Sequence, residues 1–349
     1  MNPADRSDAP GAAGAGSFAR RKLMGILSGG WLAQACYAIV RLGVPDLLAD
    51  GPRGAAELAT ATGADARVLH RLLRALAAAG VVRQVPPRMF ALSPVGELLR
   101  TDAPGSAHLV ALMHGDEVFR SFAEIMHTVR TGAPAFEHVY GKPFYAYLDE
   151  DPDAARTFNE SMGDQPVPAS LATVDFSATG VLVDVGGGNG ALLAEVLGAH
   201  PTVRGVLLER PDAVGAARTR LAGAGLADRV SLVAGDFFAH VPPGGDAYVL
   251  ARVLHNWNDE HATQLLRRVH GAMHGHGRLV VLEELLPDEG EIRPAGAAIV
   301  DLLMLVTLEG FDRTEAEYRD LLGKAGFDIV TVRRAAGQPG SGAIEATPR

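Results

Sequence analysis

The residues that could do chemistry cluster late in the chain. An apolar run at 247–251 leads into Arg252-Val253-Leu254-His255-Asn256-Trp257-Asn258-Asp259-Glu260. A histidine titrates near neutrality. It therefore suits the removal of a proton from a hydroxyl that is mostly neutral at pH 7, such as a phenol with a pKa of about 10. A base needs an acidic partner to orient it, and two carboxylates are candidates. Glu283 stands in Leu282-Glu283-Glu284-Leu285-Leu286-Pro287, and Asp312 in Glu309-Gly310-Phe311-Asp312-Arg313-Thr314.

A second constellation says what such a base would serve. Val181-Leu182-Val183-Asp184-Val185 is a β-branched apolar run that stops at Gly186-Gly187-Gly188. A helical apolar pattern follows at Ala191, Leu192, Ala194, Val196 and Leu197. Strand, glycine turn and helix let a ligand approach bare backbone at a helix N-terminus. The next apolar run ends in Glu209, whose carboxylate can accept from both hydroxyls of a ribose. A third ends at Gly235-Asp236-Phe237-Phe238, an acid beside an aromatic, which suits an adenine. No Gly-Lys-Ser/Thr holds phosphates, and the glycine spacing is G-x-G-x-G, not the dinucleotide G-x-G-x-x-G. S-adenosylmethionine (SAM) has adenine, ribose and a charged amino acid but no phosphate. The expected cofactor contacts are Asp184, Gly186, Gly187, Gly188, Glu209, Asp236 and Phe237, with Arg252 and Trp257 at the same crevice.

Around these motifs the chain alternates strand and helix from Thr179 onward. Strands are expected at 181–185, 205–208, 230–233, 247–251, 278–283 and 327–333, and a helix at 315–325. Alternation with short connections predicts an α/β fold, a C-terminal Rossmann-like, SAM-binding, parallel doubly wound sheet over 179–349. Residues 18–105 read as mostly helical. A helix-turn-helix at 54–76 is followed by two short strands around Pro86-Pro87, a winged helix. Arginines at 67, 71 and 74 could face a DNA groove. Without a basic stripe, the Ala/Leu-rich helices better suit burial in an intertwined dimer. Residues 106–178 form an aromatic-rich helical linker. Met113, Met126, Phe158 and Met162 from this region, with Asn256, Met304 and Leu308, are the expected acceptor-pocket residues.

Composition narrows the options. The 349 residues carry a net charge of −9, which gives no global basic field for nucleic acid. One cysteine, Cys36, excludes an intrachain disulfide and fits a reducing cytoplasm. No run reads as a membrane span, and residues 1–17 read as a disordered tail. His270, His274 and His276 have loosely metal-like spacing, but no nearby cysteine or carboxylate completes a site, so no metal is expected.

Taken together, these motifs resemble the SAM-dependent O-methyltransferases of the plant caffeate/flavonoid type and their actinobacterial antibiotic-biosynthesis relatives. The resemblance rests on Leu42-Gly43-Val44-Pro45, Arg71-Leu72-Leu73-Arg74-Ala75-Leu76, Thr131-Gly132-Ala133-Pro134-Ala135-Phe136, Phe158-Asn159-Glu160-Ser161-Met162, and the glycine, Asp236-Phe237 and Leu254-His255-Asn256-Trp257 motifs. It implies an N-terminal winged-helix dimerisation domain, a homodimer without metal, and SAM on Gly186, Glu209, Asp236 and Phe237. It also implies His255 as general base flanked by Glu283 and Asp312, with an aromatic small molecule as acceptor. Two departures stand out. The family usually has glutamate where Asp312 stands, and many relatives carry a cofactor-contacting lysine where Ala251 stands. Some antibiotic-pathway relatives lack the histidine and hydroxylate or decarboxylate instead. A SAM-binding hydroxylase or decarboxylase, and a winged-helix DNA-binding regulator, are the other readings. His255 favours methylation.

Overall fold

The computed structural model describes residues 12–86, 88–163, 166–273, 277–287 and 295–349. The chain divides into two compact units, Met1–Asp116 and Glu117–Arg349.

The first unit begins with α1 (Ala12–Arg41). After it come β1 (Arg53–Gly54), α2 (Ala55–Thr62), α3 (Ala66–Ala78), β2 (Val82–Val85), β3 (Met89–Leu92) and α4 (His108–Gly115). Asp65 caps α3 by accepting from the Arg67 and Val68 amides. The strands form an antiparallel sheet in the order β1-β3-β2 beside α2 and α3, which is a helix-turn-helix with its wing. Leu58, Leu69, Leu73, Leu76 and Phe90 make its core.

Three sequence expectations change here. Residues 12–17 belong to α1 and not to a tail, because alanine is the best helix former and extends a helix already nucleated. The remainder of that tail lies outside the described residues. The compact unit runs on to Asp116, beyond the winged-helix segment expected at 18–105, because α4 packs on α1. Gln34 donates to the Gly115 carbonyl at 2.7 Å, and the Tyr37 hydroxyl to Asp116 at 3.0 Å. A β-carbon on Gly115 would lie 2.3 Å from the Tyr37 side chain, so only glycine permits this contact. Finally, Ser17–Arg41 is a helix long and apolar enough to cross a membrane, with a mean hydropathy of 1.5.

The second unit starts with short helices: α5 (Glu117–Ala123), α6 (Ile125–Thr131), α7 (Ala135–Tyr140), α8 (Phe144–Glu150) and α9 (Pro152–Gly163). The alternating part follows as β4 (Val181–Val185), α10 (Ala191–Ala199), β5 (Arg204–Glu209), α11 (Val214–Gly223), β6 (Val230–Ala234), β7 (Ala247–Ala251) and α12 (Asp259–Ala272). It closes with β8 (Arg278–Leu286), α13 (Ala295–Thr307), β9 (Arg313–Thr314), α14 (Glu315–Lys324), β10 (Phe327–Ala335) and β11 (Gln338–Pro348). The main sheet runs β10-β11-β8-β7-β4-β5-β6, with β9 beside β8. Pairings from β8 through β6 are parallel, and β11 enters antiparallel between β8 and β10.

Side chains of β4 alternate between the two faces. Val183 and Val185 join Leu265, Leu266, Leu321 and Leu322 of α12 and α14, while Leu182 joins Leu193, Val196 and Leu197 of α10. Burial on both faces explains the continuous apolar runs. The strand order reverses at β4, so β4, β5 and β7 all end at one crevice, the place where such sheets bind ligands.

Candidate active site

The cofactor half of the site is built from the glycine turn after β4. Gly186, Gly188 and Gly190 have φ of 73°, 56° and 77°, a left-handed geometry that favours glycine. A β-carbon on Gly187 would lie 2.5 Å from Asp184 Oδ2. Gly186–Gly188 thus present backbone alone, while the Asn189 side chain accepts from the Ala191 amide at 3.2 Å at the start of α10. Glu209, at the tip of β5, accepts from the Gly188 amide at 2.7 Å and from the Arg210 amide at 2.8 Å. These bonds fix its carboxylate beside the glycine turn. Asp184 is buried, and its Oδ2 has no hydrogen-bond partner among the described residues. Burial, then the neighbouring Glu209, pushes its pKa up to about 7.

Aromatic rings form the opposite wall. Phe237 and Phe238 meet the Trp257 ring edge-on at 6.0 and 4.7 Å, and Tyr145 of α8 stacks on Trp257 at 5.4 Å. The Trp257 indole nitrogen is buried without a partner among the described residues. Asp236 turns one carboxylate oxygen onto the Phe238 amide, which leaves the other oxygen at the exposed end of the shelf. Bare backbone, a tethered ribose-type acceptor, an aromatic shelf and two orphaned buried polar atoms fit SAM. Arg252 also has a left-handed backbone, with φ of 56°. Its guanidinium donates to the Pro166 carbonyl.

The candidate base sits on the turn after β7. His255 lies in a single 3-10 turn, Leu254–Asn256, just ahead of α12, whose N-cap is Asn258. Its side chain is 13% exposed, so the imidazole is sheltered yet reachable. Nδ1 stands 3.6 Å from Glu283 Oε2 and 3.5 Å from Asp312 Oδ1. None of the three atoms has another hydrogen-bond partner among the described residues. The three side chains are thus brought together, at distances slightly long for hydrogen bonds, as is usual before a substrate closes the site. Asp312 reaches the imidazole despite being one methylene shorter than glutamate. Two carboxylates at Nδ1 favour the tautomer that carries its proton there, and Nε2 is then the accepting nitrogen.

Burial alone would depress the His255 pKa, but the charges of Glu283 and then Asp312 outweigh it, so the pKa lies above the ordinary 6.5. Burial raises the Glu283 pKa as well. A protonated imidazole cannot accept a proton, so if His255 is the base, turnover rises with pH through its raised value. We therefore expect the activating limb of kcat/KM above about 6.5. Glu283→Gln should move that limb to lower pH, because it removes the leading charge that raises it. A profile measured from about pH 5 to 9 checks both; a limb at or below 6.5 in the parent enzyme would go against the assignment.

The expected acceptor residues are only partly brought together. Phe158 and Leu308 pack with Phe136, Phe144, Tyr145 and Tyr147 in one aromatic cluster. Met304, one helical turn before Leu308, accepts the Leu308 amide at 2.8 Å. Asn256 donates to the Arg252 carbonyl at 3.3 Å, within the His255 turn. By contrast, Met126 and Met162 are 50% and 38% exposed. Met113 is buried in α4 of the first unit. Among the described residues no group of His, Cys, Asp or Glu could hold a metal. His270 packs edge-on against Phe327, and His274 and His276 lie outside the described residues.

Two model matches cover most of the chain. A model described as an O-methyltransferase domain matches residues 122–328, and one described as an O-methyltransferase dimerisation domain matches residues 24–102. The chain belongs to the O-methyltransferase family. It is a SAM-dependent methyltransferase. Its relatives include a phenazine O-methyltransferase from Lysobacter antibioticus, 40% identical over 329 residues, which cover 93% of this methyltransferase and 95% of the relative. Nitrogen acceptors occur among relatives too. An 8-amino-8-demethylriboflavin N,N-dimethyltransferase from Streptomyces davaonensis is 40% identical, covering 87% of this chain and 89% of the relative. Among solved structures, the mitomycin 7-O-methyltransferase MmcR superposes with a TM-score of 0.90 at 38% identity, covering 97% of this chain and 100% of that one. An O-methyltransferase from neocarzinostatin biosynthesis, solved with SAM and 2-hydroxy-5-methyl naphthoic acid, superposes with a TM-score of 0.80 at 33% identity, covering 91% and 96%.

Proposed function

We propose that this methyltransferase moves a methyl group to a phenolic oxygen of an aromatic, polyketide-type natural product, with His255 as general base. The observation that carries this reading is the imidazole held between Glu283 and Asp312, sheltered but reachable, beside the cofactor crevice. An amine acceptor has a lone pair to offer at neutral pH, whereas a phenol must lose its proton as it reacts. A buried base backed by two carboxylates serves the phenol. SAM, when bound, supplies an electrophilic methyl group on a sulfonium that leaves as a neutral thioether. The glycine turn, Glu209, Asp236 and the Phe237–Trp257 shelf would hold it. His255 Nε2 takes the hydroxyl proton as the oxygen bonds to the methyl carbon, and the imidazolium that forms is stabilised by Glu283 and Asp312. The aromatic cluster at Phe158 and Leu308 offers apolar surface to an aromatic ring.

We further propose that the enzyme works as a cytoplasmic homodimer. The matched dimerisation segment and the exposed Leu27, Trp31 and Leu32 of α1 support burial against a second copy. The function is tested with deuteromethyl-labelled SAM and matched aromatic acceptors, one bearing a hydroxyl and the other an amine at the same position. A labelled methyl on oxygen, formed equally with and without dioxygen, is the expected product. Methylation of the amine alone would replace the phenolic reading. An oxygen-dependent gain of one oxygen atom with SAM unconsumed would replace methylation itself.

A further inference from the structure

We propose that Arg313 is a positioning residue for the base, locking the backbone of the turn that carries His255; this rests on the general-base reading above. Arg313 is one of the largest fully buried side chains, with no exposed surface. A buried guanidinium is costly unless every part of it is matched. Its matches converge on one place. It donates to the Leu254 carbonyl at 3.1 Å and to the Trp257 carbonyl at 2.8 Å. Those two carbonyls bracket His255 and Asn256. Its Nε donates to Asp259 at 3.0 Å, on the first turn of α12. Its flat face lies on the Phe311 ring, 4.1 Å from the centroid, with Tyr318 at 6.0 Å.

The same turn is held from the other side by Glu283, whose Oε1 accepts from the Val253, Leu254 and His255 amides at 3.0, 2.8 and 3.4 Å. The Val253, Leu254 and His255 N–H groups thus go to an anion and the Leu254 and Trp257 C=O groups to a cation. Because Arg313 directly follows Asp312, one short segment both faces the imidazole and grips the backbone that carries it. β9 pairs Arg313 with Leu285 of β8, so this segment is itself anchored to the strand that bears Glu283. Lysine keeps the charge but cannot reach two carbonyls and a carboxylate with one planar fork. The charged groups around the imidazole are Glu283 of β8, Asp312 ahead of β9, and Arg252 ahead of the turn. Loosening the turn moves the imidazole away from the two carboxylates and changes its titration as well as its aim.

The test compares Arg313→Lys and Asp259→Asn with the parent, using the full-length enzyme and a phenol acceptor. It reads kcat, KM, the pH profile, melting temperature and S-adenosylhomocysteine binding, with His255→Ala carried alongside. For Arg313→Lys we expect cofactor-product affinity and KM near the parent values. We expect kcat to fall by about 10- to 100-fold and the activating limb to move to lower pH, since a misplacement of about 1 Å can cost 10²-fold. Asp259→Asn should act in the same direction by about 3- to 10-fold, and it carries the test should Arg313→Lys not fold. Neither change should lower the residual turnover of His255→Ala. A folded Arg313→Lys with parental kcat and pH limb would overturn the proposal. So would a loss that follows the melting temperature with an unmoved limb, or an equal further loss in the His255→Ala background. Full turnover by His255→Ala alone would instead overturn the general-base reading, whatever the Arg313 variants do.

Discussion

His255→Ala should retain the cofactor and lose the reaction. The imidazole lies on the turn after β7, whereas the glycine turn follows β4, Glu209 ends β5 and Asp236 lies on the loop after β6. Affinity for S-adenosylhomocysteine, read by calorimetry, should therefore stay within about twofold of the parent. General acid–base catalysis is worth about 10² to 10⁴ in rate, and kcat on an ordinary phenol should fall by that factor. Glu209→Ala is the complementary case. It removes a charged acceptor at the proposed ribose position and should weaken affinity by about tenfold or more, at about 1.5–3 kcal/mol for a hydrogen bond to a charged group. The division is informative because a collapsed fold would lose both properties together. Parental turnover in His255→Ala would mean that the acceptor ionises without help from this side chain.

A second large loss is expected at a residue with no side chain. A β-carbon on Gly310 would stand 2.0 Å from the His255 carbonyl oxygen, 2.3 Å from the Asn256 carbonyl carbon and 2.5 Å from the Trp257 amide nitrogen. These are backbone atoms and cannot rotate away. Gly310→Ala must therefore push the 309–312 segment and the His255 turn apart, and with them Asp312 and the imidazole. Glu309 resists that movement. It holds the Asn258 side chain at 2.9 Å and pairs with His261, both at the start of α12. The strain should cost about 1–3 kcal/mol of stability, as overpacked sites do. The same displacement should lower kcat by about 10²-fold or more. Thermal melting and initial rates on the same preparation separate the two effects. A variant with parental kcat would show that Asp312 does not need to face His255.

The elements that proved legible are those whose sequence signal is local. A β-branched run stopped by glycines can hardly be other than strand, turn and helix, and the G-x-G-x-G and Asp236-Phe237 signals follow from side-chain type alone. The His255 turn was placed by its position after the fourth strand. What escaped depends on partners distant in sequence. Strand β11 reads as Gln338-Pro339-Gly340-Ser341-Gly342, turn-like in composition, and becomes a strand because it is flanked on both sides, by β8 and β10. Arg313 sits among charged residues and reads as surface, since nothing local reveals that two carbonyls more than fifty positions earlier in the chain will meet it. Tyr145 was one aromatic among many until α8 brought it onto Trp257. The places of the methionines were illegible for the opposite reason. Their flexibility makes them plausible pocket linings anywhere, so side-chain type could not tell a surface position such as Met126 from an interior one.

The central claim is that His255 removes the acceptor proton. It is tested most directly by comparing His255→Ala with the parent enzyme on two acceptors of the same ring shape. One acceptor is an ordinary phenol. The other carries an electron-withdrawing group that ionises its hydroxyl well below pH 7. The measured quantity is the single-turnover rate of labelled-methyl transfer. If the imidazole is the base, the variant loses about 10² to 10⁴ on the ordinary phenol and recovers most of that rate on the acceptor that is already ionised. An equal loss on both acceptors would contradict the account, because the imidazole would then be positioning the substrate and not taking its proton.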